Sequence, residues 1–239
     1  MKVLVTGGAS GLGLEITRSL LENNIEVFFT YKSSQQAADE LVKYSKQRCN
    51  SIFCDFESMD SVGNLKAHIE KLDIDAIVNN ALPRFEMKRT RELTPEYLKN
   101  SFEVNVLPII TITQACLDLF KKKRSGRVIN ILTSYLINKP PTGLAEYTAN
   151  KAYVLSMAKS WAQEYSKFDI AINNILPSIM RTNLTSTIDE RMMETMEESN
   201  PFNKLVTPQA IAEVVCFLIR APIQLNSVTL PINGGENVL

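Results

Sequence analysis

The chain has 239 residues, 45% of them hydrophobic, which is enough to bury a full core as one undivided α/β domain spanning 1–239. Basic and acidic side chains balance at 26 each, so no net charge is available to hold nucleic acid or an anionic membrane. Cys49, Cys54, Cys116 and Cys216 follow no metal or disulfide spacing and His68 stands alone, so no metal site is expected and reduced thiols suit a cytoplasmic protein.

The first strand is expected at Lys2–Thr6, and with a glycine turn directly after it the segment is not expected to be a signal peptide. The turn runs Gly7-Gly8-Ala9-Ser10-Gly11-Leu12-Gly13 into an amphipathic segment from Leu14 to Leu21. Glycines between a first strand and a first helix let backbone amides approach a pyrophosphate, which sits on the positive end of that helix. The second strand, Glu26–Tyr31, ends at Lys32-Ser33-Ser34. An NAD site places a carboxylate about 20 residues beyond the turn. Tyr31 stands there instead, and Lys32 with serine hydroxyls would attract the 2′-phosphate of NADP(H). The same lysine also reads as an ordinary surface residue.

A third strand, Ser51–Cys54, leads to Asp55, which reads as a turn or capping residue as readily as a ligand contact. The fourth, Ala76–Asn79, leads to Asn80-Ala81. Beyond it, Asn105 sits in the apolar helical run Val104-Asn105-Val106-Leu107, where Asn is a poor helix former. Pro108 cannot donate to the Val104 carbonyl, so the helix should bend and free backbone groups for water. A buried Asn that merely satisfies the backbone fits the same residues. The basic run Lys121–Arg124 precedes Ser125-Gly126 and suits a helix C terminus. Strands follow at Arg127–Leu132, Ala171–Leu176 and Val228–Ile232. The alternation predicts a single-domain Rossmann fold: a doubly wound parallel sheet of about seven strands, helices on both faces, ligands at the carboxyl ends. No run reaches the roughly 18 apolar residues of a membrane span.

Tyr147 and Lys151, in the run Tyr147-Thr148-Ala149-Asn150-Lys151, lie one helical turn apart on a shared face. An ammonium held beside a phenol stabilises the phenolate and pulls its pKa down, making an acid catalyst. Taken alone, the pair is as readily a solvated helix stripe.

The spacing Gly-x-x-x-Gly-x-Gly, with Tyr147-x-x-x-Lys151, Asn79-Asn80-Ala81, Asn105, Ser134, Pro177 and Asn233-Gly234-Gly235, resembles the short-chain dehydrogenase/reductase family. The resemblance covers essentially the whole chain and is closest in look to the 3-oxoacyl-acyl-carrier-protein reductases. It implies hydride transfer with Tyr147 as acid and Ser134 as a hydroxyl donor to the carbonyl oxygen. Lys151 would hold the nicotinamide ribose, and Asn105 a proton-relaying water. It implies NADP(H) contacts from Gly7, Ser10, Gly11, Leu12, Gly13, Tyr31, Lys32, Ser33, Asp55 at the adenine amine, Phe56, Asn80, Ala81, Tyr147, Lys151, Pro177, Ile179 and Thr182. Leu82-Pro83, Ser178 and Asn226-Ser227 depart from the family pattern.

Residues 183–201 fall where the family has its variable substrate loop. Met192, Met193 and Met196, near Met180, would line an acyl pocket or form the buried face of a lid helix. Leu136, Ile137 and Leu144 also point to an apolar pocket, and Arg84 and Arg181 to phosphopantetheine or a carrier protein. Apolar surface on the helices around 102–122 and 147–165 suggests a homodimer or homotetramer. Alternatives are an NAD(P)-dependent alcohol, sugar or steroid dehydrogenase, or a non-catalytic nucleotide-binding or scaffold protein.

Overall fold

In the computed structural model, which describes residues 1–45, 48–186 and 188–236, strands and helices alternate as their residue pattern requires. The strands are β1 (Lys2–Val5), β2 (Glu26–Tyr31), β3 (Cys49–Phe53), β4 (Ala76–Asn79), β5 (Gly126–Ile131), β6 (Ile170–Pro177) and β7 (Thr229–Ile232). The helices are α1 (Gly11–Glu22), α2 (Gln35–Tyr44), α3 (Met59–Leu72), α4 (Pro95–Asn105), α5 (Leu107–Lys123), α6 (Ala145–Tyr165), α7 (Glu190–Ser199) and α8 (Pro208–Arg220). All seven strands pair in parallel in the order β3-β2-β1-β4-β5-β6-β7.

Strand side chains alternate faces, and the core divides accordingly. Val3, Val5, Val27, Phe29, Ala76 and Val78 pack with α1, α2 and α8 on one face. Leu4, Ile77, Val128 and Ile172 pack with α3, α5 and α6 on the other. A sheet covered on both faces explains why β1 and β4 are nearly unbroken apolar runs and why every residue of β6 is buried. The strand order reverses between β1 and β4, so their carboxyl ends open a crevice.

Three asparagines interrupt this core at one height. Asn79, Asn130 and Asn174 are register neighbours on β4, β5 and β6. Asn79 donates to Thr113 at 2.9 Å and to Asn130 at 2.8 Å, and Asn130 donates to Asn174 at 3.0 Å. Each buried amide thus finds its partner across the sheet, as burial demands.

The break expected near Pro108 is present. Helix α4 ends at Asn105, Val106 takes φ −116° and ψ −52°, and α5 starts one residue later. Residues 95–123 together are long and apolar enough to cross a membrane, but 56% of the apolar window is buried inside the fold. All four cysteines are free and buried.

Candidate active site

The turn from β1 into α1 is built from backbone contacts that tolerate no other side chain. Gly7 adopts φ +67°, its N–H donates to Thr30 Oγ1 at 2.9 Å, and the Gly8 N–H donates to the Thr30 carbonyl at 2.9 Å. A Cβ on Gly13 would stand 2.0 Å from the Gly7 carbonyl oxygen, so only glycine lets α1 pack onto the turn. At Gly11, φ +50°, a Cβ would meet only Thr182, at 3.9 Å. Space beside the first turn of α1 is therefore open, and Ser10 makes no side-chain cap there. Uncapped N–H groups at a helix start favour an anion. Asn80 braces the turn from β4, donating from Nδ2 to the carbonyls of Thr6 at 2.9 Å and Gly7 at 3.3 Å.

A cavity of about 530 Å³ begins at this turn and ends at the Tyr147–Lys151 pair. Its nucleotide end is walled by Gly7, Ser10, Gly11, Leu12, Gly13, Tyr31, Lys32, Ser33, Phe56, Asn80 and Ala81. Pro177, Ile179 and Thr182 close it from the end of β6. Leu82, where the family pattern has glycine, also faces the cavity. Asp55 is not part of the wall; it binds Lys32 Nζ at 3.0 Å, and Glu57 approaches the same ammonium at 3.5 Å. The Asp55 hydrogen bond is the main cause holding Lys32 above its ordinary pKa. The N terminus of α2 lies beside it, capped by Ser34 without a side-chain bond.

At the other end Lys151 is buried and donates to the Ile131 carbonyl at 2.9 Å. Burial pushes its pKa down to about 8. Tyr147 was expected to be lowered by this lysine, but burial pushes it up to about 12. Its ring centroid is 5.9 Å from Lys151 Nζ, and both groups are out of water, so each is driven toward its neutral form. The nearby Thr133 side chain opposes the rise, and Phe85 covers the phenol edge-on at 5.2 Å and 89°.

Ser134 does not match its expected place. It is fully buried, takes no part in the cavity wall, and its Oγ has no hydrogen-bond partner among the described residues. The cause is local backbone geometry. β5 ends at Ile131, Thr133 continues extended at φ −158°, and a 3-10 turn over Ser134–Leu136 follows. The extended backbone turns 133 toward the cavity and 134 away, so Thr133 lines the site. Counting thirteen residues back from Tyr147 misses this; counting forward from β5 would have found it.

Asn105 is also outside the cavity wall. Its Oδ1 accepts from the Arg84 N–H at 3.2 Å and its Nδ2 donates to Ser101 Oγ at 3.1 Å, with no direct bond to Lys151. Ser101 in turn bonds the buried Glu146 carboxylate, which also accepts from Asn150 at 2.5 Å. The residue therefore anchors the end of α4 to α6 and to the 84 loop.

The remaining cavity is apolar. Phe85, Met87, Pro141, Leu144, Leu184, Ile188, Met192 and Met196 surround the space beyond Tyr147. Within the substrate-loop region, of which residue 187 lies outside the described residues, Met192 and Met196 share one face of α7 while Met193 is buried beneath it. Leu136 and Ile137 pack instead against Val106, Ile109 and Val154. Arg84 is engaged with Asn100 and Glu57, and Arg181 with Glu190 and Glu197.

Comparison with known proteins agrees with this geometry. The sequence profile described as short chain dehydrogenase matches residues 1–193. Among curated proteins, the 3-oxoacyl-[acyl-carrier-protein] reductase of Vibrio cholerae is 28% identical, covering 97% of this chain and 95% of its own. That of Buchnera aphidicola is 27% identical with the same coverage. Among solved structures, an actinorhodin polyketide ketoreductase with NADPH superposes with a TM-score of 0.87 at 25% identity, covering 98% of this chain and 96% of its own. A 3-ketoacyl-(acyl-carrier-protein) reductase from Brucella melitensis, complexed with NADH, superposes at 0.88 with 23% identity over 99% and 98%, a likeness of fold.

Proposed function

The chain belongs to the short chain dehydrogenase family, and on that premise we propose that it is an NADPH-dependent ketone reductase whose substrates are 3-oxoacyl thioesters or similar carbonyls. One observation carries the reading: a single cavity joins an anion-receptive glycine turn to a half-buried Tyr147 with the buried Lys151 beside it. The open space at Gly11 and the uncapped start of α1 fit a dinucleotide pyrophosphate. When bound there, a nicotinamide cofactor supplies the hydride.

The protein's part is to place the carbonyl and deliver a proton. Reduction builds negative charge on oxygen, so a donor already aimed at that oxygen lowers the barrier. Tyr147 keeps its proton in the buried site and gives it up as the oxygen charges. Among the described residues Lys151 has no carboxylate partner and spends one donor on the Ile131 carbonyl, so its other ammonium donors are available to ribose hydroxyls, and its charge stabilises the phenolate that forms. Phe85 and the lid methionines keep water from the reacting centre.

The wall supports an acyl chain over a sugar, since Phe85, Met87, Leu144, Leu184, Met192 and Met196 outweigh the hydroxyls of Tyr135, Ser178 and Thr185 among the described residues that line it. Lys32, the start of α2 and a tyrosine at position 31 support NADPH over NADH. Exposed Leu98 on α4 and Tyr153 on α6, beside Phe102, support a homodimer or homotetramer built on these helices. Four buried free thiols support a cytoplasmic setting.

NADPH consumption with an acetoacetyl thioester tests the reading. Tyr147→Phe is expected to abolish turnover and leave NADPH affinity nearly intact. Folded wild-type protein that binds NADPH tightly yet reduces no carbonyl would favour the non-catalytic alternative.

A further inference from the structure

We infer that Thr133, and not Ser134, supplies the hydroxyl that shares the substrate oxygen with Tyr147. The inference rests on the reductase reading and assigns a residue within the same site. Thr133 stands in the cavity wall, two residues past the last residue of β5, and shares that wall with Tyr147.

Hydrogen-bond accounting favours it. A hydroxyl has one proton to donate and two lone pairs. Thr133 Oγ1 accepts from the Tyr135 N–H at 3.4 Å, so a lone pair is engaged by backbone and the proton remains for the cavity. Thr133 and the Tyr147 phenol line the same cavity, and the nearby Thr133 hydroxyl draws the phenol toward ionisation. A ketone oxygen arriving beside Tyr147 accepts from both hydroxyls. Hydride goes to carbon, the Tyr147 proton goes to oxygen, and Thr133 keeps its own proton throughout. The β-branched side chain holds few χ1 rotamers, so the donor is placed before substrate enters.

The two serines near Thr133 are placed differently. Ser134 is sealed from the cavity. Ser178, at the end of β6, is committed to the Glu236 carboxylate at 2.8 and 2.9 Å.

Four proteins decide it: wild type, Thr133→Val, Thr133→Ser and Ser134→Ala, each assayed for kcat and KM with an acetoacetyl thioester and for NADPH affinity by fluorescence. Thr133→Val keeps the volume and removes the donor, so kcat is expected to fall about 10²–10³-fold while NADPH affinity stays within about twofold. Thr133→Ser restores the donor on a freer rotor and is expected to recover activity to within roughly tenfold of wild type. Ser134→Ala is expected to keep wild-type kcat and KM. A crystal of the NADP⁺ complex with a 3-hydroxyacyl thioester product should place the product oxygen within hydrogen-bond distance of Thr133 Oγ1. An active wild type with Thr133→Val equally active, or with Ser134→Ala as impaired as Thr133→Val, overturns the assignment. A wild type inactive on every carbonyl instead overturns the reductase reading itself.

Discussion

Replacing Lys151 with methionine should make the protein more stable while destroying its activity. The ammonium is buried with one carbonyl for company, and burial lowers its pKa from 10.5 to about 8. At roughly 1.4 kcal/mol per unit, that displacement amounts to about 3 kcal/mol of destabilisation at neutral pH. Methionine fills a similar unbranched volume without a charge. Losing the bond to the Ile131 carbonyl returns about 1 kcal/mol, so the expected net gain is about 2 kcal/mol. For a chain of this size the melting temperature should rise on the order of 4–8 °C.

The gain should depend on pH in one direction. Between pH 8 and 10.5 the unfolded chain holds a proton on Lys151 that the folded chain has released, so wild-type stability gains from this residue as pH rises through that window. Below pH 8 the penalty is fully present. Tyr147 acts oppositely: its folded pKa is raised to about 12, so its contribution is lost above pH 10 as pH rises toward that value. Both proteins carry Tyr147, so the difference between variant and wild type isolates the lysine. Urea melts at pH 7 and pH 10, with NADPH turnover measured alongside, provide the assay. A variant less stable than wild type at pH 7, or a difference that grows toward pH 10, would refute the reasoning.

Three further perturbations test other parts of the site. Lys32→Ala should weaken NADPH by about 10- to 100-fold and NADH hardly at all, as expected for one charge-assisted phosphate contact; equal losses in titrations with the two cofactors would contradict that contact. Gly13→Ala drives a Cβ to 2.0 Å from the Gly7 carbonyl oxygen, where only backbone can yield. Stability should fall by about 3 kcal/mol and cofactor binding should collapse, read by thermal melt and fluorescence titration. Asn130→Leu orphans one donor on Asn79 and the acceptor on Asn174. The expected loss is about 2–6 kcal/mol in urea melts, and a change under about 1 kcal/mol would show that the amide row relaxes around the substitution.

Much of this architecture is legible along the chain because its causes are local. Val3 and Val5 against Leu4 follow from strand alternation, and Gly7 and Gly13 follow from a turn too tight for a side chain. What escapes depends on register or on rotation over a residue or two. Asn79, Asn130 and Asn174 are each anomalous in a buried strand and make sense only when pairing puts them side by side. Thr133 and Ser134 trade places because a 3-10 turn begins after an extended residue. Ser227 adopts φ +61°, a conformation that favours glycine, at the corner before β7 where the family pattern has that residue. The direction of the Tyr147 shift was missed because spacing shows the lysine and not the loss of water around both groups.

The two ends of the cavity are held together by different forces. At the nucleotide end the glycine turn is held by hydrogen bonds of 2.9–3.3 Å that tie Gly7 and Gly8 to Thr30 and the Thr6 and Gly7 carbonyls to Asn80, so the main chain there is fixed. A pyrophosphate would meet that fixed geometry, whereas a 2′-phosphate would meet the half-exposed Lys32 side chain. At the substrate end the wall is side chain, carried by the loop around Phe85 and by α7. The loop is tied by a backbone bond from Lys88 to the Gly143 carbonyl at 3.0 Å and by the Arg84 N–H to Asn105 Oδ1 at 3.2 Å, and α7 is tied to Arg181 through exposed ion pairs that add little in water. Thioethers at Met192 and Met196 re-pack at small cost. An acyl chain meeting such a wall gains by area more than by shape, at about 25 cal/mol per Å² of apolar surface removed from water. Affinity should then climb gradually with chain length until the space beyond Tyr147 is full.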